Sequence, residues 1–393
     1  MEKQVEVADI FRFYGPGYRQ IHGKEMPLRQ HRVMNAVEVC RTARLGGHVE
    51  ECDECGAIKI SYNSCRNRHC PKCQCLDKER WLEARKSDIL LTHYFHVVFT
   101  IPEDLRPVAL RNQEVVYSLL FLSASETLKE LAGDPKHLGA EIGFISLLHT
   151  WTQTLLDHPH VHCIVPGGGL SLDGRRWVSS KKDFFIPVKV LSRKFRGKFL
   201  HYLKKAHNDG ELGFPGSIKA LKEEPAFGKY LSGLYAQEWV VYCKPPFKKP
   251  ENVIDYMGRY THRVAISNDR IVDMQSDQVT FKYRDRSDNG KIKYKSLDAF
   301  EFIRRFLLHV LPDGFMKVRH YGILSNRNRK TKLMLCKALL GVQFEEGDSE
   351  EKEGWEDLLL RITGIDPRIC PICGKGKLVL REKLRPKMTR SPP

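Results

Sequence analysis

The chain has 393 residues, 41% of them hydrophobic, a composition that supports two or three globular domains and excludes a disordered chain. Its net charge is +17; residues 345–357, EEGDSEEKEGWED, carry eight acids and one lysine, a net −7, which leaves +24 over the rest. So basic a surface points to a polyanion, most simply nucleic acid, and the lack of a long apolar run or a basic amphipathic anchor argues against a membrane partner.

The first residues, MEKQVEVADIFRFYG, do not have the form of a signal peptide. Together with the cysteine pattern this leads us to expect a reducing, cytoplasmic compartment. Residues 8–45 read as helical, with apolar spacing through Val33, Val37 and Val39. Then cysteines crowd: seven of the twelve fall between residues 40 and 75. Cys52 and Cys55 form one CxxC, Cys70 and Cys73 a second, with fourteen residues between the pairs. Two such turns aim four thiolates at one cation, the spacing of a structural Zn2+ site, so these four are the expected ligands. Cys40, His48, Cys65, His69 and Cys75 are left over and could build a second, interleaved site or replace one of the four. Arg66 and Arg68 stand beside this metal, where they could contact phosphate.

A helix is expected over 76–91 and a strand over 93–102, closed by Pro102. An apolar-periodic helix follows at 110–133, then strands at 144–154 and 160–169 joined by a short turn as an antiparallel hairpin. The second strand holds His160-Val161-His162. Side chains two apart in a strand share a face, so both imidazoles lie side by side as a pair of metal ligands while Val161 points into the sheet. Two histidines do not fill a cation's shell. Gln153, across the turn, is the favoured third ligand because an oxygen donor suits Mg2+ or Mn2+. His149 competes with it, His262 is a further candidate, and His158 beside Pro159 is expected in the turn.

Residues 192–207 read as a basic, aromatic-laced helix, 238–247 as a strand ending at a double proline, and 252–266 as a helix. That last helix carries Tyr256 and Tyr260 four apart, hence on one face, with Arg259 and Arg263 each three beyond a tyrosine and able to flank its hydroxyl and bind DNA. Tyrosines so spaced usually form a packing stripe. In one chain with a His pair, a zinc module and a large positive charge they point instead to strand cleavage by a tyrosine nucleophile. A phenol is a poor nucleophile near its ordinary pKa of about 10. A cation on His160 and His162 would polarise the scissile phosphate, leaving a 5′-phosphotyrosine and a 3′-hydroxyl. The link conserves phosphodiester energy, in keeping with the lack of a GxxxxGK[ST] loop.

Strands at 279–285 and 291–297 and a helix at 299–312 come next; the acidic stretch reads as a linker. CPICGKGKL (370–378) resembles half a zinc ribbon: either Cys370 and Cys373 borrow ligands from elsewhere, or the turn holds no metal. The tail KGKLVLREKLRPKMTR (375–390), with seven basic residues and one acid, is expected to be a mobile arm. The segments RKFRGKFLHYLKK and RHYGILSNRNRK are the best candidates for phosphate contacts with aromatic stacking.

NSCRNRHCPKCQ, HPHVHCIVPGGG, YMGRYTHRVAIS and FIRRFLLHVLPDGFMKVRHYG, in that order, resemble the two-tyrosine, rolling-circle transposases of the insertion sequence 91 type, within the HUH endonuclease group. The resemblance runs from about residue 8 to 375. It implies an α+β chain: an N-terminal helical zinc-binding module, a central HUH-type antiparallel sheet with helices packed on it, and a helical and β C-terminal part with a zinc knuckle or a metal-free turn. The corresponding domains are expected at 1–90, 91–270 and 271–343, with a linker at 344–369 and the knuckle and tail at 370–393. It implies nicking and transfer of single-stranded DNA at mobile-element ends into target DNA, in the bacterial cytoplasm at the nucleoid. The tyrosine patterns carry over to Tyr256 and Tyr260, and the zinc module to Cys52, Cys55, Cys70 and Cys73. Two other readings compete: a replication initiator or relaxase of the same chemistry, and a non-catalytic, zinc-dependent DNA-binding regulator.

Overall fold

The computed structural model describes residues 4–181, 185–247, 253, 256, 258, 265–342 and 353–387, with backbone only at 74, 75, 77, 245, 246 and 286. In chain order the helices and strands are α1 (Val7–His22), α2 (Leu28–Val39), β1 (Gly47–Cys52), β2 (Ile58–Tyr62), α3 (Gln74–Lys86) and β3 (Tyr94–Thr100). Next come α4 (Arg106–Arg111), α5 (Gln113–Gly133), β4 (Ala140–Glu141), β5 (Gly143–Trp151), β6 (Asp157–Pro166), β7 (Gly168–Ser171) and β8 (Trp177–Ser179). They are followed by α6 (Val188–Asn208), α7 (Glu224–Ala236), β9 (Val241–Phe247), β10 (Ile271–Gln275), β11 (Gln278–Asp285) and β12 (Lys291–Asp298). The last are α8 (Ala299–Leu308), β13 (Val318–Gly322), α9 (Met334–Leu339), α10 (Trp355–Thr363) and β14 (Leu378–Leu384).

The chain divides into two compact units. One comprises residues 1–81, 262–310 and 345–393, the other 82–261 and 311–344. The expected contiguous segments are therefore redistributed: 271–310 falls with the N-terminal zinc module, and 311–343 with the large sheet.

In the first unit, β14, β1 and β2 form an antiparallel sheet with Gly47 opposite both Leu384 and Tyr62. The expected mobile arm is thus in part an ordered strand, because 378–384 finds its backbone partners on β1. A second antiparallel sheet, β10-β11-β12, runs into α8, whose N-terminus is capped by Asp298 accepting from the Phe300 and Glu301 amides. α8 packs on α1 through Phe11 against Phe306 and Tyr18 against Phe300, both edge-on. The acidic stretch is not wholly linker: residues 355–363 form α10, and residues 343–352 lie outside the described ones.

The second unit is built on a five-stranded sheet in the order β13-β5-β6-β3-β9, every neighbouring pair antiparallel. Alternation divides its faces. Phe95, Val97 and Phe99 of β3, Val161, Cys163 and Val165 of β6, and Phe144 and Leu148 of β5 bury their side chains in one core. Helices α5 and α6 cover that face with Tyr117, Leu120, Phe121, Ala124, Leu128, Phe195, Phe199 and Leu203. The opposite face carries the histidines. Among the described residues, no helix is long and apolar enough to cross a membrane.

Candidate active site and metal centres

His160 and His162 point to the face of β6 away from the helices, as the two-residue period requires. The register of β5 on β6 sets His149 directly opposite His160 and Leu147 opposite His162. One ligand nitrogen from each of His149, His160 and His162 lies within 4.8 Å of the others. The Nδ1 positions are engaged: that of His160 meets the His158 carbonyl at 2.6 Å, and that of His162 meets His96 Nε2 at 2.7 Å. Nε2 is then the nitrogen each of these two rings can offer a cation, the usual way an outer partner fixes the tautomer of a metal-binding histidine.

Two placements at this site differ from those expected. Strand β5 ends at Trp151, so Gln153 stands in the turn, and the place opposite His160 belongs to His149. His158 is not in the turn either; β6 begins at Asp157 and includes it. His262 lies outside the described residues.

Tyr256 is helical and buried, and its hydroxyl sits 3.0 Å from Nδ1 and 3.1 Å from Nε2 of His96. Two helices approach closely nearby: a Cβ on Gly258 would stand 2.6 Å from Leu82 Cδ1 of α3, so this helical turn tolerates only glycine without a shift. Tyr260, Arg259 and Arg263 lie outside the described residues. His96 is the residue that sequence reasoning missed. It sits in β3 opposite Ile164, diagonal to His162, with the two rings stacked at 5.0 Å. Lys244 on β9 pairs with His96 and adds a cation to the same face.

On the other face Asp157 is 4% exposed, and neither carboxylate oxygen has a hydrogen-bond partner among the described residues. Burial pushes its pKa up to about 7, against a smaller opposing pull from Arg106. A carboxyl raised in the folded state carries no penalty below its unfolded pKa, and the protein loses stability as pH rises toward 7. Asp157→Asn should therefore raise the melting temperature at pH 8 and leave it nearly unchanged at pH 4. The full effect is of order 4 kcal/mol, and melting curves across that range check it.

The structure separates the four cysteines expected in one site. Cys70 and Cys73 join Cys40 and Cys65, with Cys73 Sγ 3.5 Å from both Cys40 and Cys65. Cys52 and Cys55 join Cys370 and Cys373. Backbone amides of Gly376 and Lys375 point at the Cys373 thiol and hold it down to about 6, suited to a metal-bound thiolate. His48 stands on β1 beside Glu50, and neither it nor His69 belongs to a metal-ligand cluster among the described residues. Arg66, exposed and in the left-handed region at φ 53°, follows Cys65 directly, and half-buried Arg68 precedes His69.

Part of the basic charge expected on DNA is paired within the chain. On α6, Lys194 pairs with Glu130, Lys198 with Glu126 and Glu130, and Tyr202 donates to Glu126. Arg319 lies over the Phe121 ring at 4.3 Å, and Arg329 pairs with Asp88.

Two family models match the chain: "Transposase zinc-binding domain" over residues 10–101 and "Putative transposase" over residues 143–332. The chain is 52% identical over 378 residues to "Putative transposase y4qJ" of Sinorhizobium fredii, covering 96% of this chain and 95% of that one. It is 24% identical over 338 residues to "Transposase for insertion sequence element IS801" of Pseudomonas savastanoi pv. phaseolicola, covering 85% and 79%. No solved structure matches. Zinc module, histidine-bearing sheet and relatives agree: the chain belongs to the transposases of the insertion sequence 91 type.

Proposed function

We propose that the chain nicks and rejoins single-stranded DNA at the ends of a mobile element, with Tyr256 as a nucleophile and a divalent cation held by His149, His160 and His162. One observation carries this reading: the Tyr256 hydroxyl lies 3.0 Å from Nδ1 and 3.1 Å from Nε2 of His96, and that Nε2 lies 2.7 Å from His162 Nδ1. The nucleophile and the cation site are thus joined by one ring. The name of the insertion-sequence relative supports DNA as the substrate.

The proton inventory supports a role for His96. When His162 offers Nε2 to a cation, its Nδ1 proton is donated to His96 Nε2. A neutral His96 then carries its own proton on Nδ1, where it is donated to the Tyr256 oxygen. A donor at that place favours the phenolate, the form that attacks. The phenol releases its proton to solvent, its oxygen bonds to phosphorus, the P–O3′ bond breaks, and the 3′ oxygen takes up a proton from solvent and leaves as a hydroxyl. A bound cation would supply Lewis-acid polarisation of the scissile phosphate. Attack by another 3′-hydroxyl on the phosphotyrosine reverses the step and rejoins the strand. Tyr260 would hold a second strand end, and Arg259, Arg263, Arg66 and Arg68 would bind phosphates. An all-imidazole ligand set favours Mn2+ or a later first-row ion over Mg2+.

The test is a labelled single-stranded element end, incubated with Mn2+ and resolved on a denaturing protein gel. A labelled band at protein mass is expected. It should vanish with EDTA and in Tyr256→Phe/Tyr260→Phe, while gel-shift binding persists. His96→Ala should slow adduct formation about 10²-fold, with partial recovery in His96→Gln. Adduct retained in the double tyrosine variant would overturn the mechanism; binding without any adduct across a panel of element ends would favour the regulator reading.

A further inference from the structure

Cys370 and Cys373 lie outside both family-matched segments, which end at residues 101 and 332. They nevertheless face Cys52 and Cys55, with Cys52 Sγ 3.7 Å from Cys373 Sγ and Cys55 Sγ 3.8 Å from Cys370 Sγ. A tetrahedron with Zn–S bonds of about 2.3 Å has S–S edges of about 3.8 Å, so these distances fit the edges of one ZnS4 site and are far too long for a disulfide.

The surroundings are those of two opposed metal knuckles. Both segments read C-x-x-C-G, CDECG and CPICG, and Gly56 and Gly374 both take φ near +69°, at 69° and 68°. In each, the glycine amide returns to the carbonyl of the first cysteine: Gly56 to Cys52 at 3.0 Å, Gly374 to Cys370 at 2.9 Å. Amides of Ile372 and Gly376 donate to the Cys370 and Cys373 sulfurs at 3.4 Å. The knuckles are also stitched together. Asp53 accepts from the Lys377 amide at 2.7 Å, and its own amide donates to the Lys377 carbonyl. A Cβ on Gly376 would stand 2.4 Å from Cys52 Sγ, so the closeness of the two turns depends on that glycine.

We propose that Cys52, Cys55, Cys370 and Cys373 form a second structural zinc site, distinct from the Cys40–Cys65–Cys70–Cys73 cluster and completed only when the C-terminal knuckle docks on the N-terminal hairpin. The ion closes a loop of more than 300 residues and holds β14 on β1. The zinc module is therefore discontinuous, with ligands drawn from residues 52–55 and 370–373.

The test counts zinc by elemental analysis and native mass spectrometry of the full chain, in a His160→Ala/His162→Ala background that removes the histidine site. Two zinc ions per chain are expected, falling to one in Cys370→Ser/Cys373→Ser. Gly376→Ala should weaken retention of one ion while keeping all eight thiols. Hydrogen exchange at 378–384 should rise in the cysteine variant, while the α5 amides stay protected and report that the rest remains folded. One zinc ion in the chain with all cysteines intact, or two retained in the cysteine variant, would overturn the proposal. Should the cysteine variant fail to fold, the count in the intact chain decides alone.

Discussion

His149→Ala is expected to lower metal-dependent nicking about 10³-fold or more, while Gln153→Ala stays within about tenfold of the parent. The register is the reason. His149 is the residue directly opposite His160, within ligand distance of both other histidines, whereas Gln153 lies beyond the last pair of the ladder, Trp151 with Asp157. A Mn2+ titration of nicking separates loss of metal affinity from loss of turnover. If His149 is a ligand, raising Mn2+ restores part of the rate in His149→Gln. The opposite ranking of the two alanine variants would return Gln153 to the site and make His149 a packing residue against Trp151, whose ring it stacks on at 4.7 Å.

Cys70→Ser is expected to release zinc and unfold the first unit while the second stays folded. Structural zinc in small modules is worth about 10–16 kcal/mol in apparent folding free energy, as much as the whole stability of a typical domain of about 5–15 kcal/mol. The magnitude decides the outcome: losing this ion costs about as much as a whole domain's stability, and the second cysteine cluster of the same unit, at β1 and the C-terminal knuckle, offsets only part of it. The second unit keeps its own core of β3, β5, β6, α5 and α6 side chains, none of which comes from residues 1–81. Calorimetry should show one transition lost and one kept, with zinc content reduced. Cys163→Ser, at a buried cysteine outside both clusters, controls for the loss of a thiol as such. A Cys70→Ser chain with both transitions intact would show that zinc does not hold the module together.

What could be read without a fold was whatever rests on neighbours in the chain. The two-residue period put His160 and His162 on one face and Val161 in the core, because pleating is a property of each strand alone. CxxC spacing marked metal turns because a knuckle closes within a few residues. The helices expected at 110–133, 192–207 and 299–312 fall on Gln113–Gly133, Val188–Asn208 and Ala299–Leu308, and the β5–β6 hairpin followed from two strands with a short turn. Family membership followed from ordered motifs.

Tertiary structure alone decided which local pieces meet. Cys52 and Cys55 turned to partners more than 300 residues away, Cys70 and Cys73 to Cys40 and Cys65. Spacing could not rank these partners, since any two knuckles can close a tetrahedron once brought together. The shared glycine of CDECG and CPICG, missing from CPKCQ, was the one local hint of the pairing. His96 had no signal at all: one histidine in the apolar run YFHVVFT reads as a strand residue. Only the placing of β3 beside β6 sets it diagonal to His162 and under Tyr256. Likewise the end of β5, and with it the place of His149 opposite His160 and of Gln153 in the turn, depends on how many rungs the hairpin closes. Side-chain direction is a matter of the local backbone; ligand sets and proton paths are made by contacts between strands, and those depend on the order in which the sheet is assembled.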